Sequence, residues 1–259
     1  MTMAVCIDRR AGGQLGRIPP IVQLVVNFRG YLQGRATAKS TRKTDRTALR
    51  LEIAAAGLLD QPGYHAMTID EICARAGLAK GTFYLHFDSK KAITLAILDE
   101  FVELQTRMVP AIDDSRHVFE NIRAIVAWCS DFFRENTALQ RALMQLADTI
   151  PEVAEIWQRY TRFLAAHVMK TIRSAWKTDD IDEDLLFFTI YLLGNMLDQL
   201  LYAVCAVHRQ AHLERVAGTP EHMVEVVSLL WYRALCAENP PQELLKTSAP
   251  LLRLSRRKA

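Results

Sequence analysis

The stretch ICARAGLAKGTFYLHFDSK, residues 72–90, decides the fold of this chain. It predicts a short helix that ends at Ala76, a turn at Gly77 and another short helix from about Lys80 to Phe87. Two short helices joined by a glycine turn fit a helix-turn-helix, whose second helix enters the major groove of DNA. Many helical hairpins share this spacing, so the identities of the surrounding residues matter more than the spacing.

The residues on either side of this stretch also predict helices. A first helix with apolar residues at helical spacing stops at Gln61-Pro62-Gly63. Thr68 and Glu71 have the spacing of a capping box, in which each side chain satisfies a free backbone N–H. Asp88-Ser89 can cap a fourth helix that reaches about Met108. Further helices are expected near 115–135, 137–148, 151–177, 182–209 and 220–237, so the fold class is all-α.

Charge is unevenly distributed along the 259 residues, although the whole chain carries only +3. Residues 1–46 carry +7, residues 47–91 are neutral, residues 92–245 carry −9 and residues 246–259 carry +5. A basic arm on an acidic body is a plausible footprint for nucleic acid at one end. The alternative is that both basic tails are simply solvated and disordered.

Composition and motifs argue against several other classes of protein. The five cysteines are widely spaced, odd in number and without a CxxC pair, which favours reduced thiols in a cytoplasm. We therefore expect no metal and no cofactor. The apolar runs are too short or too interrupted to span a bilayer. A glycine-rich phosphate loop, GxSxG and HExxH are all missing, so an enzyme is not expected.

The motif resembles a known family signature. Residues 72–90, with the preceding helix, the Gly63 turn and Thr68, look like the N-terminal domain of the TetR/AcrR family of repressors. The motif-level resemblance covers residues 44 to about 95; beyond it only the all-helical layout is similar. The resemblance implies an N-terminal three-helix bundle with a helix-turn-helix, joined by a fourth helix to a larger helical ligand-binding and dimerisation domain.

Four domains are expected along the chain. Residues 1–40, broken by several glycines and by Pro19-Pro20, are interpreted as a flexible N-terminal extension. Residues 41–91 form the DNA-binding domain, 92–240 the effector-binding and dimerisation domain, and 241–259 a basic C-terminal tail.

Ten residues are candidates for contact with DNA. The resemblance implies contacts by the residues at the positions of Thr82, Tyr84 and Lys90, and a basic arm at Arg42, Lys43 and Arg46. The Thr68 backbone N–H could hold a phosphate at the start of its helix. Lys80 opens the recognition helix, Gly81 permits close approach to the DNA backbone, and His86 can donate to a phosphate. Ala79 departs from the family, which often has Ser or Thr there, and removes a helix cap.

The middle helices carry many large apolar side chains and a few polar ones, as ligand pockets do. Asn195 and Gln199 lie four residues apart on an otherwise apolar helix, so we expect them to share a face toward a cavity for a bulky, largely apolar effector. The alternative is that most of the aromatic residues are simply core. The full candidate set is Trp128, Phe132, Met144, Trp157, Tyr160, Phe163, His167, Asn195 and Gln199.

The last two long helices are the expected dimer contact. The first of them is apolar nearly all round, so it must be buried on every side. The alternative is that both helices pack inside one chain. The candidate interface residues are Leu193, Leu197, Leu201, Val204, Val227, Leu230 and Trp231.

These observations predict a homodimeric, sequence-specific regulator that binds double-stranded operator DNA, most simply a repressor released by a small effector. Two alternatives remain: a ligand-dependent activator, and a ligand-binding or scaffolding protein with degenerate DNA binding.

Overall fold

The computed structural model describes residues 27–175, 181–206 and 211–253, and these ranges contain helices but no strand. The all-α prediction is confirmed. The α-helices are α1 (Phe28–Thr37), α2 (Lys43–Asp60), α3 (Ile69–Ala76), α4 (Lys80–Tyr84), α5 (Lys90–Met108), α6 (Val118–Glu135), α7 (Thr137–Ala147), α8 (Pro151–Ala175), α9 (Glu183–Leu201), α10 (Ala211–Ala217) and α11 (Pro220–Cys236). A π-helical segment, Tyr202–Ala206, continues α9, and two 3-10 segments, Gln242–Leu244 and Ala249–Arg253, follow α11.

The chain forms two compact units. The first comprises Met1–Gln105 with Glu135–Trp157, and the second comprises Thr106–Arg134 with Gln158–Ala259. The three unit boundaries therefore fall inside α5, α6 and α8, and none of them lies at the expected boundary between residues 91 and 92.

Helix α1 differs from the sequence expectation, which placed residues 1–40 in a flexible extension. Phe28 and Leu32 are fully buried, and the Phe28 ring meets the Phe101 ring edge-on at 5.4 Å. The Phe28 N–H also donates to Asn136 Oδ1 at 2.8 Å. Two helix-weakening glycines are tolerated because tertiary packing outweighs a propensity loss of about 1 kcal/mol each. Residues 1–26 lie outside the described ranges.

The helix boundaries predicted on either side of the glycine turn, at Ala76 and Lys80, are confirmed, whereas α4 ends at Tyr84 and not at the predicted Phe87. Thr68 and Glu71 form the capping box at the start of α3. Gly77 ends α3 in the left-handed region at φ 64°, which glycine adopts without the strain a Cβ would bring. Ser89 Oγ accepts the Ala92 N–H at the start of α5. Thr219 caps α11, with Pro220 in its first turn.

Part of the segment that the sequence places in a basic C-terminal tail, residues 241–259, is bonded to the rest of the protein and is not simply solvated. Glu225 of α11 is buried, and its carboxylate accepts the backbone N–H groups of Lys246, Thr247 and Ser248 at 2.6–2.9 Å. Burial alone would raise the pKa of Glu225, but these donors lower it to about 2. The chain after α11 is thus fastened back onto that helix, and residues 254–259 lie outside the described ranges.

The segment Glu183–Ala206 is long and apolar enough, by composition, to cross a membrane. Leu186, Ile190, Leu197 and Leu201 on that segment are buried by the protein itself, but only 22% of its most apolar window is buried. A core helix of a globular domain meets the same compositional test.

Candidate nucleic-acid interface and ligand cavity

The short helix α4 is held by one buried aromatic anchor. Phe83 is fully buried and packs against Phe87 with ring centroids 5.9 Å apart. On the opposite side Tyr84 is 50% exposed and Leu85 is 82% exposed. Ala79 precedes the helix without a side-chain cap. The anchor therefore fixes a helix whose other face presents Lys80, Gly81, Tyr84 and Leu85 to solvent.

Lys80 is paired within the helix-turn-helix. Its Nζ lies 2.9 Å from the Asp70 carboxylate of α3. The hydrogen bond and charge of Asp70 raise the pKa of Lys80, which keeps the ammonium protonated. Both side chains are more than half exposed, so a phosphate can compete with Asp70 for this cation.

The proposed phosphate contact of the Thr68 backbone needs correction. The Thr68 N–H donates to Glu71 Oε2 at 2.8 Å, and Thr68 Oγ1 is engaged by the same residue. Asp70 and Glu71 also place two carboxylates in the first turn of α3. Because the capping box uses this N–H and adds negative charge, Thr68 acts here as a structural cap.

Two of the expected phosphate contacts also have partners inside the protein. Lys90 Nζ donates to the carbonyls of Tyr64 and His65 at 2.9 and 3.3 Å and lies 4.7 Å from the Tyr64 ring centroid. Arg46 Nη2 donates to the carbonyls of Thr41 and Ala38. An ammonium has three N–H groups, so Lys90 retains one donor for a phosphate.

The remaining candidates differ in exposure. Arg42 and Lys43 are exposed at the start of α2, whereas Thr82 and His86 are half-buried. A Cβ at Gly81 would meet nothing within 4 Å, so open space surrounds this position in the free protein.

Two residues that the sequence reasoning missed belong to this region. Arg50 Nη2 donates to the Ala76 carbonyl at 2.6 Å and so satisfies the end of α3 beside the turn. Because Arg50 lies 26 residues before Ala76 in the sequence, no local pattern indicated this contact. Leu85 could have been identified from the sequence as an exposed apolar residue. It lies inside the motif but is not part of its core, so it must face outward.

The second unit contains a small, partly open cavity between α8, α9 and α11. Of the nine predicted ligand residues, Tyr160 and Asn195 line it. Asp198, three residues after Asn195, lines it in place of Gln199, which is exposed. Trp231, expected in a dimer contact, also lines it.

The other predicted ligand residues lie elsewhere. Trp128 and Phe132 are buried and pack against each other with centroids 5.3 Å apart, as core residues do. Met144 and Trp157 belong to the first unit. Phe163 is 40% exposed, and His167 Nε2 bonds the Pro110 carbonyl at 2.8 Å.

The predicted dimer residues fall mostly on the inner face of α9 and α11. Leu197, Leu201, Val227 and Trp231 are buried inside the chain, so they cannot form a surface. Leu193 and Val204 are half-buried, and Leu230 is exposed. The exposed apolar stripe of α9 consists of Leu185, Phe188, Leu192 and Met196. Because α9 is apolar on both faces, its sequence could not identify the outer one.

The sequence of this region is similar to those of known regulatory proteins. Residues 53–97 match the model of a family described as bacterial regulatory proteins, tetR family. The HTH-type transcriptional regulator EthR of Mycobacterium tuberculosis is 30% identical over 146 residues, which is 54% of this chain and 65% of that protein. The HTH-type transcriptional regulator UidR of Escherichia coli is 26% identical over 173 residues, 66% of this chain and 86% of UidR.

A solved structure resembles the fold. It is the transcriptional regulator FadR from Bacillus subtilis in complex with stearoyl-CoA, with a TM-score of 0.54 and 16% identity. The match covers 68% of this chain and 96% of that one. At this identity the likeness concerns the fold alone.

Proposed function

We propose that this chain, whose residues 53–97 match the tetR family of bacterial regulatory proteins, is a member of that family and a sequence-specific transcriptional repressor. It acts in the cytoplasm as a homodimer on double-stranded operator DNA. A bulky, largely apolar small molecule releases it from the operator.

One observation carries the DNA-binding part of this proposal. Helix α4 is anchored by buried Phe83 and turns Lys80, Gly81 and Tyr84 outward, immediately after a left-handed glycine turn. This arrangement suits a recognition helix, whose first residues meet base edges and whose flanking donors meet phosphates. Exposed Arg42 and Lys43 add cationic groups at the start of α2.

The homodimer is proposed on the exposed stripe of α9. Leu185, Phe188, Leu192 and Met196 repeat every three or four residues and are 40–61% exposed. A contiguous apolar patch of this kind on a globular protein marks an association surface. A second copy of the same chain would cover it around a two-fold axis.

The effector part of the proposal is supported by the small cavity of the second unit, whose lining combines apolar side chains with a few polar groups and which has room for the polar end of a larger ligand. The named relatives EthR and UidR are transcriptional regulators, and the FadR structure holds stearoyl-CoA. An apolar effector bound between α8 and α9 would shift the balance between a DNA-binding and a released state.

The test uses the intergenic DNA beside the gene that encodes this protein. Fluorescence anisotropy should detect binding of this duplex that is at least about a hundredfold tighter than binding of an unrelated duplex. Affinity should fall steeply as salt rises, because phosphate contacts release counterions. Equal affinity for both duplexes at all salt concentrations would contradict the repressor and favour a protein with degenerate DNA binding.

A further inference from the structure

The cavity between α8, α9 and α11 is small. Its volume is about 20 Å³, room for a single polar group of the size of a water molecule. Its apolar wall includes Leu164, Val168 and Ile190. A cavity of this size suits the head group of a ligand rather than its hydrocarbon body.

A buried donor on the cavity wall lacks a partner. The Trp231 indole is 1% exposed, and its Nε1–H makes no hydrogen bond within the described part of the chain. An unpaired buried donor is destabilising, because it has lost its hydrogen bond to water and gained none in exchange. A ligand atom that accepts a hydrogen bond from Nε1 would supply the missing partner.

An acid faces the same cavity. The Asp198 side chain makes no hydrogen bond within the described residues, and burial raises its pKa to about 7. The titratable groups near it are the Cys129 thiol of α6 and the Tyr160 hydroxyl of α8, and burial raises the pKa of both; Tyr191 of α9 also lines the cavity. No lysine or arginine is among the residues that line the cavity. A carboxylate placed here would therefore meet an acid and no cation.

We propose that this cavity is the head-group subsite for the effector, and that it selects an apolar ligand with an uncharged head group that both accepts and donates hydrogen bonds. A primary amide has this chemistry: its carbonyl would accept from Trp231 Nε1, and its N–H would donate to Asp198. A fatty carboxylate of the same shape is rejected. This assignment deepens the proposed function and rests on it.

Decanamide and decanoate are the probes, because they share a chain and differ only in the head group. Isothermal titration of the full-length protein at pH 8, without DNA, should show decanamide binding at least about tenfold tighter than decanoate. Asp198→Asn removes the acid with little change in size and should abolish or reverse that preference. Trp231→Phe should weaken decanamide by about tenfold, the loss expected for one buried hydrogen bond.

Gly194→Leu provides a second variant. Gly194 lines the cavity, and a Cβ there meets nothing within 4 Å, so a larger side chain can block entry without a clash. It should abolish binding of decanamide. Gln199→Ala, on the exposed side of α9, is the matched control and should bind like the wild type. Thermal unfolding of each variant verifies the fold.

Equal affinity of the two probes for the wild type would overturn the inference, as would an unchanged preference in Asp198→Asn or undiminished binding to Gly194→Leu. These readouts contain no DNA. If the protein selects decanamide but does not bind its intergenic DNA specifically, the subsite is supported and the proposed repressor function is contradicted. If it binds that DNA but does not select decanamide, the repressor function is supported and the subsite is contradicted.

Discussion

Lys80 at the start of the recognition helix lies 2.9 Å from the carboxylate of Asp70 on the preceding helix. The pair thus neutralises the first cation of α4 inside the helix-turn-helix, in a region whose formal charge is already zero over residues 47–91. Solvent screens an ion pair as exposed as this one, so Lys80 can exchange Asp70 for a phosphate at little cost. In the proposed interface, Asp70 would therefore compete with a DNA phosphate for Lys80.

Asp70→Asn should tighten binding of operator DNA by about threefold to tenfold at low salt, because it frees Lys80 and removes one repelling charge. Anisotropy titrations at about 50 and about 200 mM salt, roughly a fourfold change in ionic strength, would measure the gain and its expected decline with screening. Glu52→Gln, which removes a carboxylate of α2 outside the helix-turn-helix, is the control. Equal gains in both variants would mean that net charge matters and the Lys80 pair does not.

Tyr84→Ala should weaken operator binding by roughly tenfold and leave the unfolding temperature nearly unchanged, since the side chain is half exposed. Lys90→Ala should weaken binding too, but it should also destabilise the first unit, because Lys90 fastens the carbonyls of Tyr64 and His65. Neither should alter the dimer or effector affinity. Thermal unfolding beside anisotropy separates the two effects.

Lys91→Ala is the matched control for Lys90→Ala. Lys91 pairs with exposed Glu152 and makes no such carbonyl contacts. If both lysine variants lose the same stability and the same DNA affinity, the assignment of Lys90 is wrong.

Local chemistry made the helix-turn-helix predictable. The capping box of Thr68 and the turn at Gly77 depend on residues within four positions, and both appear where the sequence places them. Helix α1 could not be predicted in this way, because Phe28 is buried against Phe101 and bonded to Asn136, 108 residues away. When only neighbouring residues are considered, Gly30 and Gly34 argue against a helix at this position.

The candidate sites were predictable only in part, for the same physical reason. On α9 the pattern indicated burial on all sides, but which face meets the chain's own core depends on α8 and α11. Tyr160 and Asn195 were placed at a cavity, whereas Gln199 was assigned to the wrong side of the helix and Trp231 to an outer surface. Partners of side chains, such as Asp70 for Lys80, likewise require the folded arrangement.

Phe188→Glu should convert the proposed homodimer into a monomer. It places a charge in the middle of the exposed stripe of α9, where association would have to bury it unpaired. Light scattering after size exclusion would measure the mass, with Gln158→Glu as a control that adds the same charge on exposed α8. A dimer that survives Phe188→Glu, or a monomeric wild type, would contradict the interface.

Glu225→Gln should detach the C-terminal segment and destabilise the protein by about 2 kcal/mol, the scale of hydrogen bonds to a buried charged acceptor. The carboxylate accepts three backbone N–H groups and the hydroxyl of Ser248, and a glutamine amide would turn its NH₂ toward some of those donors. Glu243→Gln, at an exposed position of the same segment, should change nothing.

The stabilisation that Glu225 provides should depend on pH. The pKa of Glu225 is lowered from 4.5 to about 2 in the folded protein, so its contribution is complete above pH 4.5 and disappears as the pH falls toward 2. The difference in unfolding temperature between wild type and Glu225→Gln should be constant from pH 7 to about 5 and then shrink steadily on acidification. A difference that stays constant down to pH 3, or grows there, would mean that the ionised carboxylate does not hold the segment.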